Sequence, residues 1–195
     1  MNNFKELTDF LDKYGKKYIV HSDCVEVKGD LWLNNNNLTS LPESFGNLKI
    51  GGSLELFSNN LTSLPESFGN LKIGGRLNLF SNNLTSLPES FGNLKIGGSL
   101  DLDFNKLESL PESFGNLQIG GSLELRYNKL KSLPESYDDI DVKGNIYMDF
   151  ITRIIYNCQK RNRHKLKKLE AKLEAERKKL EAEELRVKSQ IWVNE

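Results

Sequence analysis

Carboxylates and aromatic rings fall in this chain on columns with a fixed step of 23 residues. One series reads Trp32, Glu55, Asn78, Asp101, Glu124, Tyr147; a second reads Asn34, Phe57, Phe80, Asp103, Arg126, Asp149; a third reads Asn35, Ser58, Ser81, Phe104, Tyr127, Phe150. Two carboxylates on one face, such as Asp101 and Asp103, can share a proton or hold a cation. Catalysis needs more, namely a companion base or nucleophile in reach. His21 and His164 lie outside the series, with no Ser, Cys or Asp partner implied beside them. The carboxylates therefore read as satisfied or solvated surface groups, without catalytic, metal or cofactor residues, and the chain reads as a non-enzyme. Aromatic rings around an acidic centre suit an interface, because they bury large area at small entropic cost. The expected partner-binding residues are Trp32, Glu55, Phe57, Asn78, Phe80, Asp101, Asp103, Phe104, Glu124, Arg126, Tyr127 and Tyr147.

Three other patterns invite chemistry and are absorbed by simpler readings. Cys24 and Cys158 stand far apart, with neither disulfide-framework nor zinc-site spacing, and read as packed or surface thiols. Gly51-Gly52, repeated at Gly74-Gly75, Gly97-Gly98 and Gly120-Gly121, lacks the residues of a phosphate-binding loop and reads as a tight bend. Asn37, Asn60 and Asn83 open glycosylation sequons only because the surrounding segment repeats.

The elements that position the recurring side chains follow from the same period. The segment LTSLPESFGNLKIGGSLELFSNN at 38–60 returns at Leu61, Leu84 and Leu107, with a decaying copy from Leu130. A unit this short cannot bury its own apolar face, so neighbours must stack and supply one another's core, forming a solenoid. Leu54 and Leu56 alternate with Glu55, the period of a strand with one buried face. Asn36, Asn59, Asn82, Asn105 and Asn128 form a column whose amides can satisfy backbone groups exposed where each coil turns. Leu41, Phe45 and Leu48 with their repeats fill the interior, and each proline, from Pro42 to Pro134, follows a column leucine where a fixed φ suits the turn away from the strand.

These residues resemble the leucine-rich repeat family in its 23-residue form: Leu54, Leu56, Asn59, Leu61, Leu64, Pro65, Phe68 and Leu71 match its template over about 130 residues. One departure recurs, since the template's first strand-side leucine falls on Gly51, Gly74, Gly97 and Gly120, each preceded by an isoleucine. The resemblance implies an α/β solenoid, a short curved stack with parallel strands on its concave face, and protein binding through that face. It extends to leucine-rich repeat proteins of bacteria and of large DNA viruses or phages. A structural subunit of a large assembly, such as a virion or phage component, is accordingly the alternative function.

A solenoid needs covers at both ends. Phe4, Leu7, Leu11 and Tyr14 at helical spacing predict an amino-terminal helix over 3–15, ended by Gly15 and followed by short strands at 18–20 and 24–27. The expected organisation is a cap at 1–22, a solenoid of five to six units at 23–150, and a long helix at 151–195 whose start, 151–158, seals the last coil. Leu166, Leu173, Leu180 and Val187 fall at heptad a, but d holds Leu169, Glu176, Glu183 and Gln190, a weak seam. Glu174 with Lys178 and Glu184 with Lys188 add helix pairs, and Trp192 is an aromatic anchor. Self-association or docking in a larger complex is expected of this helix ahead of the alternative, a free, solvated charged rod.

Charge divides the chain in the same place. Residues 1–152 hold 14 basic against 20 acidic side chains, and residues 153–195 hold 13 against 7, so a neutral total conceals −6 and +6. Lys160, Arg161, Arg163, Lys165, Lys167 and Lys168 crowd beside His164. A plain solvated segment is the first reading of this stretch, contact with an acidic protein surface the second, and nucleic-acid or anionic-surface binding the third. Charged residues near the amino end and the lack of a long apolar run predict a cytoplasmic or otherwise intracellular protein that is not secreted and has no membrane span, with a virion location if the source is viral.

Overall fold

The computed structural model describes residues 4–192, with side chains described for residues 4–179 and 181. The chain divides into two compact units, Met1–Arg153 and Ile154–Glu195. The first is an α/β solenoid in which each turn contributes one strand to each of two sheets and a five-residue 3-10 helix between them.

The alternation at Leu54-Glu55-Leu56 forms the strand that the sequence predicts. Leu31–Trp32, Leu54–Glu55, Leu77–Asn78, Leu100–Asp101, Leu123–Glu124 and Ile146–Tyr147 pair in parallel, with Trp32 opposite Glu55, Asn78 opposite Asp101 and Glu124 opposite Tyr147. Leu54, Leu56, Leu77, Leu79, Leu100 and Leu102 point inward with no exposure. Coil stacking in units of 23 residues thus keeps chemically identical positions in register.

A second parallel sheet runs through Val25–Val27, Leu48–Ile50, Lys72–Ile73, Lys95–Ile96, Gln118–Ile119 and Asp141–Val142, with Ile19–Val20 antiparallel at its edge. This accounts for the departure at the glycines. Ile50, Ile73, Ile96 and Ile119 are buried strand residues, and the chain then bends at the Gly-Gly pair to reach the next strand. The glycines are required by close approach, not by a left-handed backbone: among the described glycines only Gly15 has positive φ, at 61°. A Cβ on Gly74 would stand 2.2 Å from the carbonyl oxygen of Gly51.

The helical arm of each coil is a 3-10 turn, Glu43–Asn47 and its repeats Glu66–Asn70, Glu89–Asn93, Glu112–Asn116 and Glu135–Asp139. Pro42 at φ −63° begins the turn, and its carbonyl accepts the N–H of Phe45 at 2.9 Å. Phe45, Phe68, Phe91, Phe114 and Tyr137 stack with near-parallel rings 6.0 to 6.3 Å apart. At the amino end Phe4, just before α1 (Lys5–Lys13), is buried with Leu7 and Leu11 of that helix, and Phe10 meets Phe45 edge-on at 5.9 Å.

Helix α2 (Phe150–Trp192) begins with the Asp149 carboxylate accepting the N–H of Thr152 at 2.8 Å. In the first unit Thr152 is buried, whereas Ile151 is 63% exposed. Farther along, Leu166, Leu169 and Leu173 are exposed, and Lys178 pairs with Glu174 at 3.7 Å. Leu180, Glu183, Glu184, Val187, Lys188, Gln190, Ile191 and Trp192 lie outside the described side chains, so the second helix pair, the later heptads and the aromatic anchor do as well. Among the described residues no helix is long and apolar enough to cross a membrane.

Candidate functional site

Each coil leaves its strand through a left-handed residue, then turns around an asparagine. Asn82 shows the device: its Oδ1 accepts the N–H of Leu61 at 3.1 Å, and its Nδ2 donates to the carbonyls of Leu56 and Leu79 at 3.0 and 3.1 Å. Asn59, Asn105 and Asn128 repeat the pattern. Asn36, first in the column, is exposed and bonds instead to the carbonyl of Asn34 at 2.9 Å.

The outward positions of each strand carry nearly all the variation between the best-preserved units. Copies 38–60, 61–83 and 84–106 are identical over their first fifteen residues. Copies 38–60 and 61–83 differ only where Ser53 becomes Arg76 and Glu55 becomes Asn78. Both changes serve one carboxylate. Arg76 donates to Glu55 from Nε at 3.2 Å and from Nη2 at 3.0 Å, and Asn78 donates at 2.7 Å. A glutamate at 78 would place like charges on neighbouring strands, so the substitution removes a repulsion as it adds a donor.

One step along the stack the frame carries acids without equal compensation. Asp101 and Glu124 are directly opposite in the ladder. Together with Asp103 they bring carboxylate oxygens within 4.8 Å of one another. Arg126 answers Asp103 through its backbone N–H at 2.6 Å and its Nε at 2.8 Å, and also pairs with Glu124. The Asp101 carboxylate accepts the N–H of Asp103 at 3.0 Å. Burial pushes Asp101 up to about 6, helped by Glu124 and Asp103. Asp103 is also raised, by burial above all, although Arg126 opposes the shift. Arg126 thus gathers Asp103 and Glu124 into an ion-pair network around its guanidinium, and Asp101 stands next to that network with a backbone N–H as its partner.

This corrects the expectation that the carboxylates of the strand columns lie at the surface. Glu55 and Asp103 are each 3% exposed, and Asn78 is 5% exposed, because the next coil folds Arg76 or Arg126 over them. Arg76 was absent from the expected set. Its signal was present in the sequence, as the one arginine in a column that otherwise holds Asp30, Ser53, Ser99, Ser122 and Asn145.

The rings make up the exposed part of the face. Phe104 and Tyr127 stack at 4.2 Å with 47% and 59% of their surface open, and Phe80 meets Phe104 at 5.2 Å. Trp32 and Tyr147 are exposed at the two ends of the ladder, and Phe57 is half-buried. Arg126 lies 5.3 Å over the Tyr147 ring. The structure thus brings Asp101, Asp103, Phe104, Glu124, Arg126 and Tyr127 into one neighbourhood. Among the basic residues of α2, Lys160, Arg161, Lys165, Lys167 and Lys168 are exposed and Arg163 is half-buried.

A leucine-rich repeat family model matches residues 30–48, 76–94 and 99–117. A solved structure of a leucine-rich repeat protein from Leptospira interrogans is 29% identical over 60% of this chain, with a TM-score of 0.36. The matched region spans 37% of that chain's length. No curated protein matches this chain.

Proposed function

We propose that this chain, a leucine-rich repeat protein, is a non-enzymatic interaction module that engages a protein partner through the outward side chains of its Leu54–Glu55 sheet. The observation that carries this reading is the placement of variation. Three successive copies keep fifteen frame positions unchanged, while their differences collect at strand-side positions where exposed rings and an ion-pair network meet. A frame that repeats and a face that does not is the arrangement a binding surface needs, since specificity comes from a few anchors within an otherwise generic scaffold.

The test is capture by the full chain compared with a face variant, Phe104→Ser with Tyr127→Ser. Serine already occupies the equivalent positions 58 and 81, so the frame is preserved. Partners lost by this variant but kept by Lys72→Ala, on the other sheet, support the reading; partners kept by both variants overturn it.

A second reading, anchoring in a larger assembly through α2, is favoured by Leu166, Leu169 and Leu173, which are 58%, 62% and 70% exposed on that helix. Light scattering on the full chain across concentrations and on a truncation ending at 159 examines its self-association form. An oligomer that becomes monomeric on truncation supports that form, and two monomers remove it.

A further inference from the structure

The strand face holds more negative charge than its own cations answer. Arg76 is taken by Glu55, and Arg126 by Asp103 and Glu124. Among the described residues Asp101 is hydrogen-bonded to a backbone N–H and to no cation.

Three residues along the same coil stands Phe104, whose ring is stacked on that of Tyr127. Both residues adopt left-handed backbone, at φ 56° and 57°. That conformation costs a bulky side chain on the order of 1–2 kcal/mol. The coil does not require a ring there, because Ser58 and Ser81 occupy the same position while Asn59 and Asn82 make the same turn. Strain is therefore carried at two positions to display a flat aromatic platform, three residues along the coil from a carboxylate with no cation in hydrogen-bond contact. A ring face attracts cations by its quadrupole, a nearby carboxylate adds its own attraction, and Arg126 over Tyr147 already shows the ring contact on this face.

Resting on the strand face as the binding surface, we infer that Phe104, Tyr127 and Asp101 form a seat for one lysine or arginine side chain of a protein partner, the cation against the rings and its charge met by the carboxylate. A cation favours ionised Asp101, so binding strengthens as pH rises through about 6 and weakens below it. The charged groups influencing Asp101 are Asp103, Glu124 and Arg76. Arg76 keeps its charge throughout this range.

The experiment screens the full chain against a display library of short random peptides and measures the enriched peptides by calorimetry. The expected binders share a lysine or arginine, and exchanging it for norleucine or citrulline weakens them about tenfold or more. Asp101→Asn causes a similar loss and flattens the pH dependence between 7.5 and 5, while Lys72→Ala does neither. Binders lacking a cation, or indifferent to Asp101→Asn, overturn the assignment. If such binders are still lost with Phe104→Ser and Tyr127→Ser, the face remains the binding surface and only the cation seat falls. If they are indifferent to all three changes, the binding-face reading falls too.

Discussion

At Asn82 one side chain accepts from one backbone group and donates to two others, a combination that neither a carboxylate nor a hydroxyl can supply. Asn82→Ala leaves these buried groups without partners and is expected to lower stability by about 2–3 kcal/mol. Asn36→Ala, at an exposed residue of the same column, should change it by less than about 0.5 kcal/mol. Urea denaturation of the two variants checks both, and equal losses would show that the column acts only through its local turn. Asp101 has the opposite sign. Its folded-state pKa lies above its ordinary value, at about 6, so its contribution to stability is fully present below the ordinary carboxylate range and is lost as pH rises through about 6. Asp101→Asn should therefore be more stable than the parent at pH 7.5, with the gap closing toward pH 4. A gap that widens on acidification would contradict the burial and like-charge origin of the shift. The asparagine column was legible because stepping by the period finds it. The burial of Glu55 and Asp103 was not, because it depends on arginines from the following coil, which no single unit contains.

The element here is one coil, and its tolerances are set by the coil beside it. Gly74→Ala would drive a Cβ to 2.2 Å from the backbone oxygen of Gly51, at a point where the N–H of Gly74 also bonds to the carbonyl of Ile50 at 2.9 Å. Neither backbone can withdraw without loosening a sheet, so the substitution should cost more than about 2 kcal/mol. Gly29→Ala meets nothing within 4 Å and serves as the control. Similar thermal midpoints for the two variants would mean that the coils separate easily. The strand at Leu54–Glu55 and the amino-terminal helix were readable from local periodicity. The second sheet was harder to see: Leu48-Lys49-Ile50 alternates as a strand should, but it is very short and ends at glycines, and its stability comes from pairing with copies 23 residues away. The same dependence on stacking explains why the helical arm is a 3-10 turn with a glycine, whose space is taken by the adjacent coil.

For the whole molecule, stability is a sum over coils and the junctions between them, and the near-identity of two units allows that sum to be tested cleanly. Deleting 38–60 joins Asn37 to Leu61, deleting 61–83 joins Asn60 to Leu84, and in both products every apolar column continues. The two proteins differ at only two positions, because one retains Arg76 and Asn78 where the other retains Ser53 and Glu55. Both should fold, each less stable than the parent by one coil. In the first, Asn78 follows Trp32 and no carboxylate loses its partner. In the second, Glu55 loses Arg76 and Asn78 and, by the parallel register, comes to lie opposite Asp101, itself already raised by burial and by neighbouring acids. A buried carboxylate stripped of its partners costs up to about 3–5 kcal/mol before relaxation toward solvent, less here because Arg76 is exposed, so the product lacking 61–83 should unfold at clearly lower urea at pH 7.5. Acidification through about pH 6 should narrow the difference as Asp101 takes up a proton and ceases to repel its new neighbour. Equal midpoints at neutral pH would mean that the ion pairs on the strand face add nothing to the stack, leaving the apolar columns and asparagine turns to hold the solenoid together.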